Sequence, residues 1–485
     1  MESRRFYVIT GGTMVHVAPH FSLCAPAYGK VGHQIASELE KALTAQRVRE
    51  TSEGRRDGNF IRFLTEEERA EIPKVVPVRT NMARGPSSVS GVEKELFDAA
   101  GIRFLETNED LEKLIDYLVL QPETKGIVLA AAVCDWQPKR LEVDVPDYHD
   151  NHLRDEFGKR QERLKTSEGN LRLAISPADK IIGKIRQKRK DIFLVGFKAT
   201  TGMSEQEQYV TGLGLLKGAS CNLVLANDVH EHRNMVITPE EAKYHVTKDR
   251  KTAVWGLCEM VAMRSQLHFT RSTVIEGEPI PWGSDAVPAN LRKVVNHLIA
   301  RGAYKPFQGK TVGHFATRGP KPGIIYTSRR KTDFNKLPED GLLRIDTVGE
   351  DQVVAHGAKP SVGGQSQRII FDEHPDVDCI VHAHVPLRDV GDPARQAKHG
   401  QFGTGHVLFG VQEQRPYECG SHECGRNASE GLEPVGHGIK AVMLEEHGPN
   451  VCFSKDTDPD KVIEYIETFW DLEAKTGGPV SLGTT

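Results

Sequence analysis

The strongest constraint on this 485-residue chain is an alternation running from Arg5 to about Val274, in which short unbroken apolar runs are separated by stretches with helical spacing. The runs are Phe6–Thr10, Ile127–Val133, Ile192–Phe197 and Asn222–Asn227. A strand exposed on one face shows a two-residue period, so continuous apolar residues mark strands covered on both faces. Between them, Gly32–Leu43 and Leu111–Val119 repeat apolar residues at helical intervals. The pattern predicts an α/β fold with a Rossmann-like, doubly wound parallel sheet.

Beyond Val274 the character changes. Glu276–Ser284 holds two Pro and two Gly in nine residues and reads as a linker. A helix is expected at Ala289–Ala300, then many short strands, then a closing helix at Pro459–Ala474. The division predicted is a first domain over 1–275, a linker over 276–288 and a second domain of α/β or α+β character over 289–485. The polar stretch Asp144–Gln161 reads as a surface loop.

Bulk properties exclude several classes. Apolar residues at 38%, together with 45 Gly, suffice for a core and rule out wholesale disorder. A net charge of −4 argues against a nucleic-acid coat. The most apolar run, Ile127–Cys134, is eight residues against the ~20 of a spanning helix. No long apolar region precedes a cleavage site near Met1, and the eight Cys are mostly isolated. A soluble cytoplasmic enzyme is expected, with neither membrane nor nucleic acid as partner.

In the first half, strand one runs into Thr10-Gly11-Gly12-Thr13, and Tyr28-Gly29-Lys30-Val31-Gly32 opens a helix. Glycine turns between strand and helix let backbone N–H groups approach an anion at the helix N-terminus. No Gly-Lys-Ser/Thr is present, so this is not a Walker loop. Later strand ends carry Ala130–Trp136, Val195–Lys198 and Leu225–Val229, and a polar loop with Arg163 and Lys165 precedes Ser176-Pro177-Ala178-Asp179. In this order the fragments resemble the phosphopantothenoylcysteine synthetase (phosphopantothenate–cysteine ligase) family over Arg5–Val274.

That resemblance implies binding of CTP or ATP with Mg2+, activation of a carboxylate as an acyl nucleotide, and displacement of the nucleotide by an amine. It implies that Ala130, Ala131 and Asp135 face the base, that Pro177, Asp179 and Phe197 line its pocket, and that Lys217 approaches the phosphates. Gly11, Gly12, Thr13, Gly29, Lys30, Asn227 and Asp228 complete the expected nucleotide site. Arg163 stands where the family has a triphosphate-contacting lysine, and with Lys165 it is the catalytic candidate here. The family's Asn-x-Ser-Ser-Gly-Lys is Ala25-Pro26-Ala27-Tyr28-Gly29-Lys30, so the side-chain amide used in ligation is absent. The alternative is a nucleotide fold kept as a scaffold.

In the second half, Asp378-Cys-Ile-Val-His382-Ala-His384 places two imidazoles at strand spacing, hence on one face and able to chelate one ion. A third, His447, follows the apolar run Ala441–Leu444. Three neutral imidazoles leave an open coordination position, as in a catalytic zinc site. These motifs resemble the class II aldolase/adducin family over Asn290–Ala474, with its sugar-phosphate aldolases, epimerases and dehydratase. The resemblance implies His382, His384 and His447 as ligands of Zn2+ or another divalent transition metal.

Its catalytic Pro-Ser-Ser-Glu is Pro360-Ser361-Val362-Gly363 here, and its Gly-Asn-x-Ser is Gly313-His314-Phe315-Ala316. Glu446 (or Glu445) beside a ligand is the substitute acid/base, and Arg329 and Arg330 with Ser361 are the candidate anion site, unless the basic run is simply a solvated turn. Cys419, His422 and Cys424 are a weaker candidate for a second metal. The two halves together predict a bifunctional, homo-oligomeric ligase-like and lyase-like enzyme for small carboxylate or phosphorylated substrates. The alternatives are a regulatory or assembly protein that binds nucleotide without turnover, or activity of the metal half alone on a nucleotide-linked substrate.

Overall fold

The computed structural model describes all residues except 1–3, 53–63, 85–88, 145–151, 308, 389–406, 409–410, 415–416, 445 and 477–485. The chain divides into two compact units, 1–201 with 214–234 and 247–265, and 202–213 with 235–246 and 266–485.

The first unit's strands include, in chain order, β1 (Arg5–Gly12), β2 (Lys74–Arg79), β3 (Thr124–Ala132), β4 (Trp136–Asp144), β5 (His152–Arg154), β6 (Asn170–Pro177), β7 (Phe193–Thr200) and β8 (Leu223–Asp228). Its core sheet runs β8-β7-β3-β1-β2 with parallel neighbours. Phe6 to Ile9 are buried without a break, as a strand covered on both faces requires. The covering helices include α1 (Lys30–Ser52), α2 (Asn108–Leu120) and α3 (Arg250–Arg264). α2 starts at a capping box, Thr107 with Asp110, and buries Leu111, Leu114, Ile115 and Leu118 as one stripe.

Numbering these five parallel strands by their sequence, the order is 2-1-3-4-5, and the connection reverses between β1 and β3. Open α/β sheets take ligands at that reversal, outside the carboxyl ends of the strands. Here those ends are Gly11 and Gly12, paired with Ala131 and Ala132.

The stretch 144–161, expected as a loop, is partly a strand: β5 pairs β4, with Leu141 opposite Arg154, and β6 pairs β4 from the other side. Cross-strand hydrogen bonds satisfy the backbone whatever the side chains, and a small cluster of Ala18, Leu141 and Leu164, with Phe157 and Leu173 packed against it, anchors the sheet. Residues 145–151 of that stretch lie outside the described ones.

The second unit contains β9 (Lys310–Arg318), β10 (Ile324–Thr327), β11 (Leu343–Gly349), β12 (Gln352–His356), β13 (Cys379–Ala383), β14 (Ile439–Leu444) and β15 (Gly448–Phe453). They run β12-β11-β10-β9-β13-β15-β14 with every neighbour antiparallel, and Arg271–Ile275 adds a parallel strand beside β12. Helices α4 (Ala289–Ala300) and α6 (Pro459–Phe469) bury Leu291, Val295, Val462 and Ile466 against one face of the sheet, at Phe315, Val381 and Phe453. The short helix α5 (Val362–Ser366) lies on the unit's other side, ahead of Ile370 and Phe371, which cover Ala316, Ile380 and Cys452. The proline-rich stretch after Glu276 is packed, since Trp282 is buried beside α4 and its indole N–H donates to Asn296 at 3.1 Å. Among the described residues no helix is long and apolar enough to cross a membrane.

Candidate metal centre and nucleotide crevice

His382 sits near the end of β13, His384 just beyond it, and His447 in the turn between β14 and β15. Gly448 makes the turn possible: its φ is +144°, and a Cβ there would stand 2.2 Å from the Ala383 carbonyl oxygen. Only a glycine lets the two chain segments close and bring His447 to the His384 end of β13. The three rings are 4.7–5.1 Å apart between centroids, and one nitrogen from each falls within 4.8 Å of the others. All three side chains are buried, at 1%, 4% and 2% exposure.

His382 Nδ1 faces the Pro449 carbonyl at 3.0 Å, so that nitrogen carries the proton and Nε2, buried without a partner, is left as the acceptor. Burial pushes the imidazole well below its usual range, and neighbouring His447 and His314 push it further, so it stays neutral, the ligand form. Thr476 straps both flanks, its N–H donating to His384 O at 3.1 Å and its hydroxyl to His447 O at 2.9 Å. Three buried imidazoles with one nitrogen of each drawn together fit a borderline divalent transition metal. Among the described residues no second group of three or more such donors meets. Cys419, His422 and Cys424 do not meet as one such group, although the Cys419 and Cys424 thiols touch.

The basic turn and the loop carrying Ser361 are zipped together: Arg329 bridges Pro360, Arg330 N–H donates to Lys359 O at 3.0 Å, and Ser361 N–H donates to Ser328 O at 3.0 Å. Arg329 is half-buried and Arg330 exposed, while the Ser361 hydroxyl accepts from Gly364 N–H at 3.0 Å and so caps α5. Glu446 lies in the turn before His447 with φ +51° and is half-buried. The chain leaves β14 at Leu444, so strand alternation does not govern it; Glu445 lies outside the described residues.

In the first unit, Gly11 has φ +106°, and a Cβ on it would meet Thr80 Oγ1 at 2.0 Å. Gly29, φ +76°, sets the entry to α1, where Lys30 is exposed. Gly12 N–H donates to Ala27 O at 2.8 Å, drawing the two glycine turns together beside half-buried Ala130 and Ala131. Asp135 is exposed and paired with Lys180, and its carbonyl accepts Ala178 N–H at 2.8 Å, bringing it to Pro177 and Asp179, both exposed. Phe197 is half-buried at the end of β7, and so is Asn227 on β8. Lys217 is half-buried on the helix Glu205–Ala219. Arg163 and Lys165 are exposed on either side of buried Leu164.

Two expected residues are occupied by the fold itself. The Thr13 hydroxyl donates to Asn108 Oδ1 at 2.6 Å and accepts Cys134 N–H at 2.9 Å, tying β1 to α2 and β3. Asp228 is buried, accepting the Thr200 hydroxyl at 2.8 Å and the N–H groups of His230 and Glu231 at 3.0 and 2.8 Å. Asn108 escapes sequence reasoning because a polar residue in a helix's first turn is ordinary there.

Residues 300–469 match the class II aldolase and adducin N-terminal domain, and residues 89–264 match the DNA/pantothenate metabolism flavoprotein C-terminal domain. The chain is 28% identical over 169 residues to the coenzyme A biosynthesis bifunctional protein CoaBC of Thermococcus kodakarensis, an alignment covering 31% of this chain and 37% of that protein. It therefore spans little more than a third of that relative's length. It is similar to the solved DNA/pantothenate metabolism flavoprotein from Streptococcus pneumoniae, at 17% identity and TM-score 0.35 over 54% of this chain and 99% of that one. It is likewise similar to an L-fuculose 1-phosphate aldolase, at 18% identity and TM-score 0.26 over 38% and 85%. Both resemblances read from the sequence are thus borne out. One chain carries a match to a flavoprotein C-terminal domain ahead of a match to a class II aldolase and adducin domain.

Proposed function

We propose that the chain is a bifunctional enzyme whose first domain activates a carboxylate with CTP or ATP and Mg2+, and whose second, beyond a junction at 276–288, carries out zinc-assisted lyase, dehydratase or epimerase chemistry. The observation that carries the reading is the buried triad His382–His384–His447, in which the Pro449 carbonyl at Nδ1 turns the Nε2 of His382 to the accepting role. A bound Zn2+ there would polarise a carbonyl or enediolate oxygen. Around it, Arg329 and Arg330 with the Ser361 loop hold the anionic end of the substrate, and Glu446, in the turn beside His447, moves the proton. In the first domain, the glycine turns and the α1 N-terminus hold phosphates, and Arg163 and Lys165 neutralise the triphosphate as the carboxylate attacks the α-phosphorus and pyrophosphate leaves.

The test is elemental analysis of untagged protein purified without added metal, joined to calorimetric titration with CTP and ATP plus Mg2+. About one transition metal per chain, nucleotide binding and pyrophosphate release on supply of the right carboxylate are expected. Absence of both metal and nucleotide binding would remove the enzyme reading. Ala25, with no amide to offer, favours a second reading in which nucleotide binds without turnover. Binding with no pyrophosphate from any carboxylate would select it.

A further inference from the structure

Lys305 opens the short strand Lys305–Phe307, which pairs with β9 so that Lys305 stands opposite Val312. Its side chain is fully buried, and burying an ammonium is costly unless its charge and its donors are both met. The charge is met by the Glu241 carboxylate, 2% exposed and 3.6 Å from Nζ. For its donors, Nζ reaches the Thr476 carbonyl at 2.9 Å, the Tyr209 hydroxyl at 3.2 Å and the Glu241 carbonyl at 3.5 Å. The Tyr209 oxygen is free to accept because its own proton goes to that same Glu241 carbonyl, at 2.6 Å. The Tyr209 ring also faces the ammonium, with 5.5 Å from Nζ to the ring centre.

A buried ion pair is weak evidence for stability, since apolar side chains of similar volume often serve as well. What this one fixes is a position. Thr476 lies beyond the end of α6 and bonds to the backbones of two candidate ligands from different chain segments. Its N–H donates to His384 O and its hydroxyl to His447 O, so with Lys305 on its carbonyl all three of its polar groups are engaged. An imidazole is aimed from its own backbone, so movement of Thr476 changes the spacing between two donors of one ion. The anchor draws on both matched stretches. Lys305 lies within 300–469, whereas Tyr209 and Glu241 lie within 89–264 yet belong to the second compact unit.

We propose that Lys305 is a positioning residue of the metal centre: seated on Tyr209 and Glu241, it anchors Thr476 and through it holds His384 and His447 at the spacing one ion requires. The metal site of the aldolase-type stretch thereby depends on side chains supplied by the flavoprotein-type stretch. The proposal rests on the reading of the triad as a metal centre.

The test measures the Zn2+ affinity of the untagged full chain by competition with a chromophoric chelator, and records the visible spectrum of the Co2+ form at saturation. K305M keeps the apolar stem and removes the ammonium; T476V keeps the N–H and removes the hydroxyl. Each should weaken Zn2+ about tenfold, the size expected when a group supporting a ligand is disturbed, and each should shift the cobalt bands. Both act through one strap, so the double variant should lose clearly less than the roughly hundredfold that independent effects would give. Y209F, which takes an acceptor from the ammonium, should weaken Zn2+ by a smaller factor. A merely structural lysine would change the urea midpoint of K305M while leaving its Zn2+ affinity and cobalt spectrum as in the wild type, and that result overturns the proposal. A full hundredfold loss in the double variant overturns it too, by separating Lys305 from Thr476. If K305M fails to fold, Y209F decides, and wild-type affinity there overturns it. A wild-type chain that takes up neither ion instead sinks the metal reading itself.

Discussion

The two candidate sites are built on opposite principles. In the first unit the expected contacts are main-chain groups at Gly11, Gly12 and Gly29 together with exposed side chains, Asp135, Arg163, Lys165 and Asp179. In the second the donors are side chains at 1–4% exposure, each placed by packing. A polyanion can be gathered by N–H groups and long cations that stay hydrated until it arrives. A metal ion needs donors already stripped of water and held in one geometry. The first site should therefore tolerate side-chain change and fail through its backbone, and the second should fail at any ligand.

The largest effect expected is that of H384A. Metal content, read by elemental analysis, should fall from about one per chain to none, with affinity lost beyond the ~10–100-fold that follows disturbance of an outer-shell partner. Nucleotide titration should be unchanged; a parallel loss would break the comparison.

Next is acid. Burial pushes the Glu93 carboxyl up, but the Arg79 guanidinium and the N–H groups of Ser90 and Arg79 outweigh it and hold the pKa down to about 2, from 4.5. The folded pKa is the lower one, so this stability is complete above pH 4.5 and is lost as the pH falls toward 2. Its size at neutral pH is up to about 3 kcal/mol. E93Q should show a lower urea midpoint at pH 7 and a smaller further drop at pH 3 than the wild-type protein.

G448A places a side chain at φ +144° against the Ala383 carbonyl, and should cost ~1–3 kcal/mol by denaturant midpoint and weaken metal binding with it. The smallest effect belongs to R163A, where nucleotide affinity should fall about tenfold by calorimetry with stability unchanged within ~0.5 kcal/mol. A tenfold loss without destabilisation would sharpen the contrast between a site of reach and a site of packing.

The parallel sheet was legible because Phe6–Thr10 and Ile127–Val133 are apolar without interruption, and the His382–His384 pair because two-residue spacing survives in any strand. The closing helix was legible in its start but not its end, which the structure puts at Phe469 rather than Ala474. β5 was hidden because only one of its three residues, Leu153, is apolar and its pairing is made by backbone groups identical in every residue.

What the sequence determined by itself was local: which segments are strands or helices, where glycine permits a turn, and that three imidazoles are available to one metal. Which side chains share a pocket was decided only in three dimensions. His314, His382 and Asn450 are abreast because strands far apart in sequence are aligned by backbone register. The same folding spends Thr13 and Asp228 on internal hydrogen bonds and sets Lys305 on the carbonyl of Thr476. Register is set by the summed burial of whole strands, so no single residue announces it.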